Sequence, residues 1–281
     1  MRLNLLASSR KSADRRPESG DERLMDLQLQ NKVAIVTGAS KGIGRSIAQV
    51  LARENMRLVV VARSRAQLEE IASPLGDTCL VQAVDLTNPD APATIVAETM
   101  ARYGRIDVLV NNAGSTKRGD FLTLSEADWA DGFGLKFYGA MRLSRSAWPH
   151  LQASSGTIVN IVGVGGRTGS AEFAIGGAVN AALMNLTKVL ADRGVKDGVR
   201  VNAINPGGIV TDRLLTRLRT FAAEHHVDLI EAEEQMARAL GVARFGQPEE
   251  IARLVAFLAS RQAAFCQGSI IDADGGQTRT L

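Results

Sequence analysis

The chain has 281 residues, 45% hydrophobic and 22% charged, the size and composition of one large globular domain with its own core. Its formal charge of +3 gives little support to nucleic-acid binding, and much of the positive charge lies in residues 1–24, where Arg2, Arg10, Lys11, Arg15, Arg16 and Arg23 stand against four acids. Two cysteines, Cys79 and Cys266, lack metal-ligand spacing and read as isolated thiols of a cytoplasmic protein, and no apolar stretch approaches the length of a membrane span.

Residues 1–27 show no sustained periodicity and are rich in Arg, Ser, Asp and Glu, which predicts a disordered leader, with Met25 as an alternative start. Residues 28–281 read as one domain. "KVAIVTG", from Lys32, is a continuous apolar run of the kind that forms a strand buried on both faces. "IGRSIAQVLAREN" follows with helical spacing, then strand "RLVVVAR", helix "AQLEEIASPLG", strand "TCLVQAVDL", helix "APATIVAETMARYG" and strand "IDVLVNNAG". A long helix is predicted from Glu126 to Leu151, followed by strand "GTIVNIVG", helix "NAALMNLTKVLADRG" and strand "VRVNAINPG". An amphipathic insertion at about 212–244 comes next, then a Pro-started helix "PEEIARLVAFLAS" and the closing strand "GSIIDADGG". Strands alternating with helices over short links predict a single α/β domain, a doubly wound parallel sheet of Rossmann type. The insertion follows a strand's carboxyl end, where ligands bind in such sheets, and is a candidate substrate lid.

"TGASKGIG", Thr37 to Gly44, lies between a strand and a helix, with Gly38, Gly42 and Gly44 spaced for a tight turn that lets backbone approach a pyrophosphate. With "VDLT" at 84–87, "NNAG" at 111–114, "INPGGIVT" at 204–211, "RFGQPEEIA" at 244–252 and "DADGG" at 272–276, the chain from Lys32 onwards resembles the short-chain dehydrogenase/reductase family. The resemblance implies a nicotinamide cofactor held by Gly38, Ser40, Lys41, Gly42, Ile43 and Gly44. It puts Asp85 and Leu86 beside the adenine, Asn111, Ala113 and Gly114 along the cofactor channel, and Pro206, Gly207, Ile209 and Thr211 at the nicotinamide end. After the second strand stands Arg63, not an acid, and Lys41 adds a second cation. These partners suit the 2′-phosphate of NADP better than the free ribose of NAD, unless both are simply solvated surface charges.

The family's carbonyl chemistry, by the same resemblance, uses an Asn, a Ser, a Tyr and a Lys. Here those positions fall on Lys136, Gly163, Gly176 and Asn180. The two tyrosines, Tyr103 and Tyr138, are not placed to substitute. Lys136 reaches from the Asn position towards the place of the missing Lys, where burial would bring an amine's pKa near neutrality. Glu172, in a loop expected to border the substrate, is a partner for it, or for Arg167. Gly176 and Gly177, at a helix start, imply a close approach to backbone, either by a ligand in the vacated tyrosine space or by a second subunit. His225 and His226 diverge by about 100° on a helix and are not expected to share a metal. The function implied is oxidoreduction of a small carbonyl or hydroxyl compound by a homodimer or homotetramer. The alternatives are a catalytically silent partner subunit in a hetero-oligomer with an active relative, or an NADP-binding sensor.

Overall fold

The structure is a computed structural model and describes residues 25–279; the expected leader, apart from Met25 to Leu27, and the question of the start codon lie outside the described residues. Seven parallel strands form one sheet: β1 (Val33–Thr37), β2 (Arg57–Ala62), β3 (Cys79–Ala83), β4 (Val108–Asn111), β5 (Thr157–Ile161), β6 (Arg200–Pro206) and β7 (Ile270–Ala273). Their order across the sheet is β3-β2-β1-β4-β5-β6-β7. The winding therefore reverses between β1 and β4, and the crevice at their carboxyl ends is where such a sheet receives ligands.

Alternation along each strand divides the core between the two faces. On one, Ala34, Val36, Leu58 and Val60 pack under α1 (Gly42–Arg53), α2 (Arg65–Ala72) and α9 (Pro248–Ala259). On the other, Ile35, Val59, Leu109 and Ile158 pack under α3 (Ala91–Tyr103), α5 (Ala140–Ser154) and α6 (Ala174–Asp197). The edge opposite the crevice is pinned by the buried Asp107, which accepts from Val33 N at 2.9 Å and from the Arg105 guanidinium at 2.8 and 2.6 Å. Arg200 donates to the carbonyls of Leu258, Ala259, Ser260 and Ala263, satisfying the end of α9.

Expectations for two helices change. The long helix is interrupted: α4 (Glu126–Phe133) passes through a π-turn at Gly134–Gly139 into α5, which runs on to Ser154. Next, α6 begins at Ala174, ahead of the Asn180 from which the helix was read, and takes in the glycine pair expected at a helix start. At 24 residues α6 is, by length and composition only, apolar enough to cross a membrane, contrary to the sequence expectation; in this fold it packs on β6 and the 164–166 turn. The insertion, helical as its amphipathic pattern implied, is two helices, α7 (Asp212–His225) and α8 (Leu229–Leu240), with a small core of Leu214, Leu218, Ala222, Ala232, Ala237 and Phe245. His225 stacks on Phe221 with ring centroids 3.9 Å apart, and His226 takes the left-handed position that ends α7.

Candidate active site

The first turn closes on itself and on the segment after β4. Gly38 and Gly42 have φ of +65° and +55°, a region that glycine enters without strain. A Cβ on Gly44 would overlap the Gly38 carbonyl and the Asn112 amide. Thr37 Oγ1 donates to Val110 O at 3.1 Å and accepts from Asn112 N and Ala113 N at 2.9 and 3.0 Å, so the two segments are clasped together. The Thr211 methyl group comes within 3.2 Å of where a Cβ on Gly42 would stand, bringing the 206–211 loop to the same crevice. Gly207 and Gly208 allow that loop to lie on Asp274 and on the Phe245 ring. Ser40 and Ile43 are half-buried, and Lys41 exposed, at the start of α1.

Beyond β2 and β3 the exposed Arg63 lies close enough to Asp85 to help hold its carboxyl below the usual range, after the larger effect of the Thr87 amide donating to it at 2.9 Å. This glycine-lined crevice fits the pyrophosphate of a dinucleotide, and Lys41 and Arg63 border it. Two side chains expected along the cofactor are turned inward. The Leu86 side chain joins the core under α5, and Asn111 donates to Ser144 Oγ at 3.0 Å and to Asn160 Oδ1 at 2.9 Å behind the sheet. At these two positions only backbone is left to face the crevice.

Lys136 sits in the π-turn, an insertion that shifts side-chain register and is frequent at functional sites. One turn earlier, Gly132 lets α4 press onto α6: a Cβ there would lie 2.5 Å from Ile175 Cγ2. The approach carries the Lys136 ammonium to Asn180, to whose Oδ1 it donates at 2.6 Å, and to the Val162 carbonyl at 2.5 Å. Its stem runs across Gly114, where a Cβ would stand 2.8 Å from Lys136 Cδ. Burial, and then the positive charge of Arg213, lower its pKa to about 7. The amine therefore exchanges a proton near neutrality, the property required of a general acid or base.

Glu172 is not its partner. Glu172 lies on the exposed loop ahead of α6 and forms no ion pair with Lys136, while Arg167, its other expected partner, pairs with Asp272 at 3.0 Å. The main chain of its loop is fixed by Gly119 N donating to Glu172 O at 3.1 Å, whereas the ammonium donates to Asn180 Oδ1.

The space in front of Gly176 is filled from within the chain. A Cβ on Gly176 would overlap the Phe173 ring, whose other edge lies against Gly165. A phenylalanine three residues before a glycine at a helix start is the sequence signal for this plug, and it replaces the ligand or second subunit expected there. Gly163 has φ +139°, and a Cβ on it would stand 3.0 Å from Asn180 Nδ2, so a serine would be strained. Tyr103 is remote: its hydroxyl lies 3.5 Å from Leu58 O, at the opposite edge of the sheet. Gly176→Tyr is expected to cost about 1–3 kcal/mol by overpacking. Most of that cost should vanish in a Phe173→Ala background, as read by urea unfolding; equal costs in both backgrounds would contradict the plug.

The family described as enoyl-(acyl carrier protein) reductase matches residues 38–278. The chain belongs to the short-chain dehydrogenase/reductase (SDR) family. Among SDR relatives, the 3-oxoacyl-[acyl-carrier-protein] reductase FabG of Staphylococcus aureus is 36% identical over 254 residues, spanning 87% of this chain and 97% of that protein. FabG of Vibrio cholerae is 33% identical over 253 residues, 89% and 98% of the two chains. L-sorbose reductase of Gluconobacter frateurii, solved with NADPH and L-sorbose, superposes with a TM-score of 0.87 at 32% identity, covering 92% of this SDR chain and 100% of its own. A short-chain oxidoreductase of Pseudomonas aeruginosa PAO1, described as containing an atypical catalytic center, superposes with a TM-score of 0.83 at 27% identity, covering 89% and 98%.

Proposed function

We propose that the protein is an NADP-linked oxidoreductase acting on a carbonyl or hydroxyl compound, in which Lys136, not a tyrosine, handles the proton. The observation that carries this is the bond from the Lys136 ammonium to Asn180 Oδ1. The family positions occupied by Asn and Lys here hold Lys136 and Asn180, so the pair has exchanged ends and kept its contact. A crystallised relative with an atypical catalytic center and another bound to NADPH lend support.

The cofactor, when bound, supplies or accepts the hydride. The turn from Gly38 to Gly44 would hold its pyrophosphate, and Arg63 with Lys41 its 2′-phosphate. Lys136 donates its proton to the developing alkoxide in the reductive direction and, neutral, accepts it in the oxidative one. Asn180 and the Val162 carbonyl keep the ammonium aimed. A homo-oligomer is part of the same reading, with the exposed Val189 and Val195 of α6 as apolar surface for a second copy to cover. The second reading, a silent subunit or sensor, is favoured by one observation, the Phe173 ring in front of Gly176.

The test is a titration with NADPH and NADH, read by energy transfer from Trp129 and Trp148. NADPH is expected to bind at about micromolar concentration, roughly tenfold tighter than NADH, and Arg63→Asp to reverse that preference. Failure of both to bind the folded protein would overturn the oxidoreductase reading and the sensor reading together. Tight NADPH binding with no consumption across a carbonyl panel would leave the sensor.

A further inference from the structure

Three exposed arginines, Arg118, Arg213 and Arg217, stand around the mouth of the Lys136 site. Arg118, in the loop after β4, places its guanidinium 4.3 Å from the centroid of the Phe173 ring, the same ring that covers Gly176. That loop is fixed to the 170–173 segment by the bridge between Gly119 and Phe173. Arg213 and Arg217 stand one turn apart on α7, directly after the Thr211 that closes on Gly42, so they share a helix face. Among the described residues none of the three forms an ion pair, whereas neighbouring cations do: Lys117 pairs with Asp128 at 3.0 Å, and Arg167 with Asp272 at 3.0 Å.

We infer that the substrate carries an anionic group, a carboxylate or a phosphate, held by Arg118, Arg213 and Arg217 beside the Lys136 amine. This rests on the reading that the Lys136 site receives a carbonyl or hydroxyl compound. A guanidinium presents paired N–H groups that match either oxyanion bidentately. Three of them around one opening repel one another until an anion is bound, and they attract it beforehand. Burial lowers the Arg118 pKa, Arg217 and Arg213 lower it further, and only Glu172 opposes them. Arg213 acts on Lys136 in the same sense, which ties the cluster to the reacting end of the site. A neutral polyol would gain nothing from this arrangement.

The test uses matched probes on the full-length protein: acetoacetate against methyl acetoacetate, and dihydroxyacetone phosphate against dihydroxyacetone. Binding is measured by calorimetry with NADP present and absent, and turnover by NADPH oxidation. The charged member of at least one pair is expected to bind about tenfold or more tightly than the neutral one, with an advantage that shrinks as salt is raised. Which pair shows it assigns carboxylate or phosphate. Arg213→Gln with Arg217→Gln, and separately Arg118→Met, should remove most of the advantage. Equal binding of charged and neutral members, or an advantage that survives the substitutions, would overturn the inference. The NADPH titration separates the two failures. Loss of nicotinamide binding with the charge preference intact fails the oxidoreductase reading alone. Nicotinamide binding without charge preference fails the anionic substrate alone.

Discussion

Lys136→Met is expected to lower NADPH-dependent turnover by about 10²–10⁴-fold, the range for loss of a general acid. Methionine keeps the stem's length across Gly114 but removes the proton and leaves Asn180 Oδ1 and the Val162 carbonyl without their donor. In the wild type, carbonyl reduction needs the protonated amine, so kcat/KM should fall as pH rises through about 7, and alcohol oxidation should rise over the same interval. Both breaks should disappear in the variant. A variant whose pH profile matches the wild type would remove Lys136 from the chemistry, whatever its rate.

The same residue has a signature in stability. Its folded pKa, about 7, lies below the ordinary 10.5, so between those values the unfolded chain binds more protons than the folded one. Stability then rises with pH. Below about 7 the lysine is charged in both states and the folded protein bears the full penalty of burying the charge; above the ordinary value it is neutral in both and the penalty is gone. Urea unfolding of the wild type, relative to Lys136→Met, should therefore show a relative gain as pH is raised from about 7 towards 10. A flat difference would mean that Lys136 is not desolvated in solution.

Gly44→Ala is expected to cost about 1–3 kcal/mol and to weaken NADPH binding by about 100-fold. The added methyl would overlap the Gly38 carbonyl, which is backbone and cannot rotate away, and the Asn112 amide, which donates to Thr37 O at 2.9 Å and Gly38 O at 3.2 Å. The turn would open, and with it the row of amides that meets a phosphate. Gly169→Ala is the contrast. Nothing stands within 4 Å of its Cβ position, and stability should be unchanged within about 0.5 kcal/mol. Calorimetric unfolding and the fluorescence titration check both. Unaltered affinity in Gly44→Ala would show that the turn is not what holds the dinucleotide.

What could be read from the chain without coordinates was set by local physics. Short apolar runs such as Val33–Thr37, rich in β-branched residues and closed by a glycine turn, suit strands covered on both sides, and the strand–glycine–helix order around Gly38, Gly42 and Gly44 suits a ligand edge. All seven strands follow from such spacing, whereas the reach of Lys136 towards position 180 was implied only by the resemblance to the family. The π-turn was not legible, because one added residue in a helix leaves the apolar period nearly unchanged while altering which side chains face inward. Nor could spacing decide between Glu172 and Asn180 as the partner of Lys136. That choice depends on how closely α4 descends on α6 at Gly132 and on the path of the Glu172 loop, which Gly119 N fixes by donating to Glu172 O. The gathering of Arg118, Arg213 and Arg217 likewise joins a loop and a helix about a hundred residues apart in the chain. Sequence periodicity acts over a few turns of backbone, whereas these contacts are set by helix separation and loop path, which exist only once the sheet has brought its carboxyl ends together.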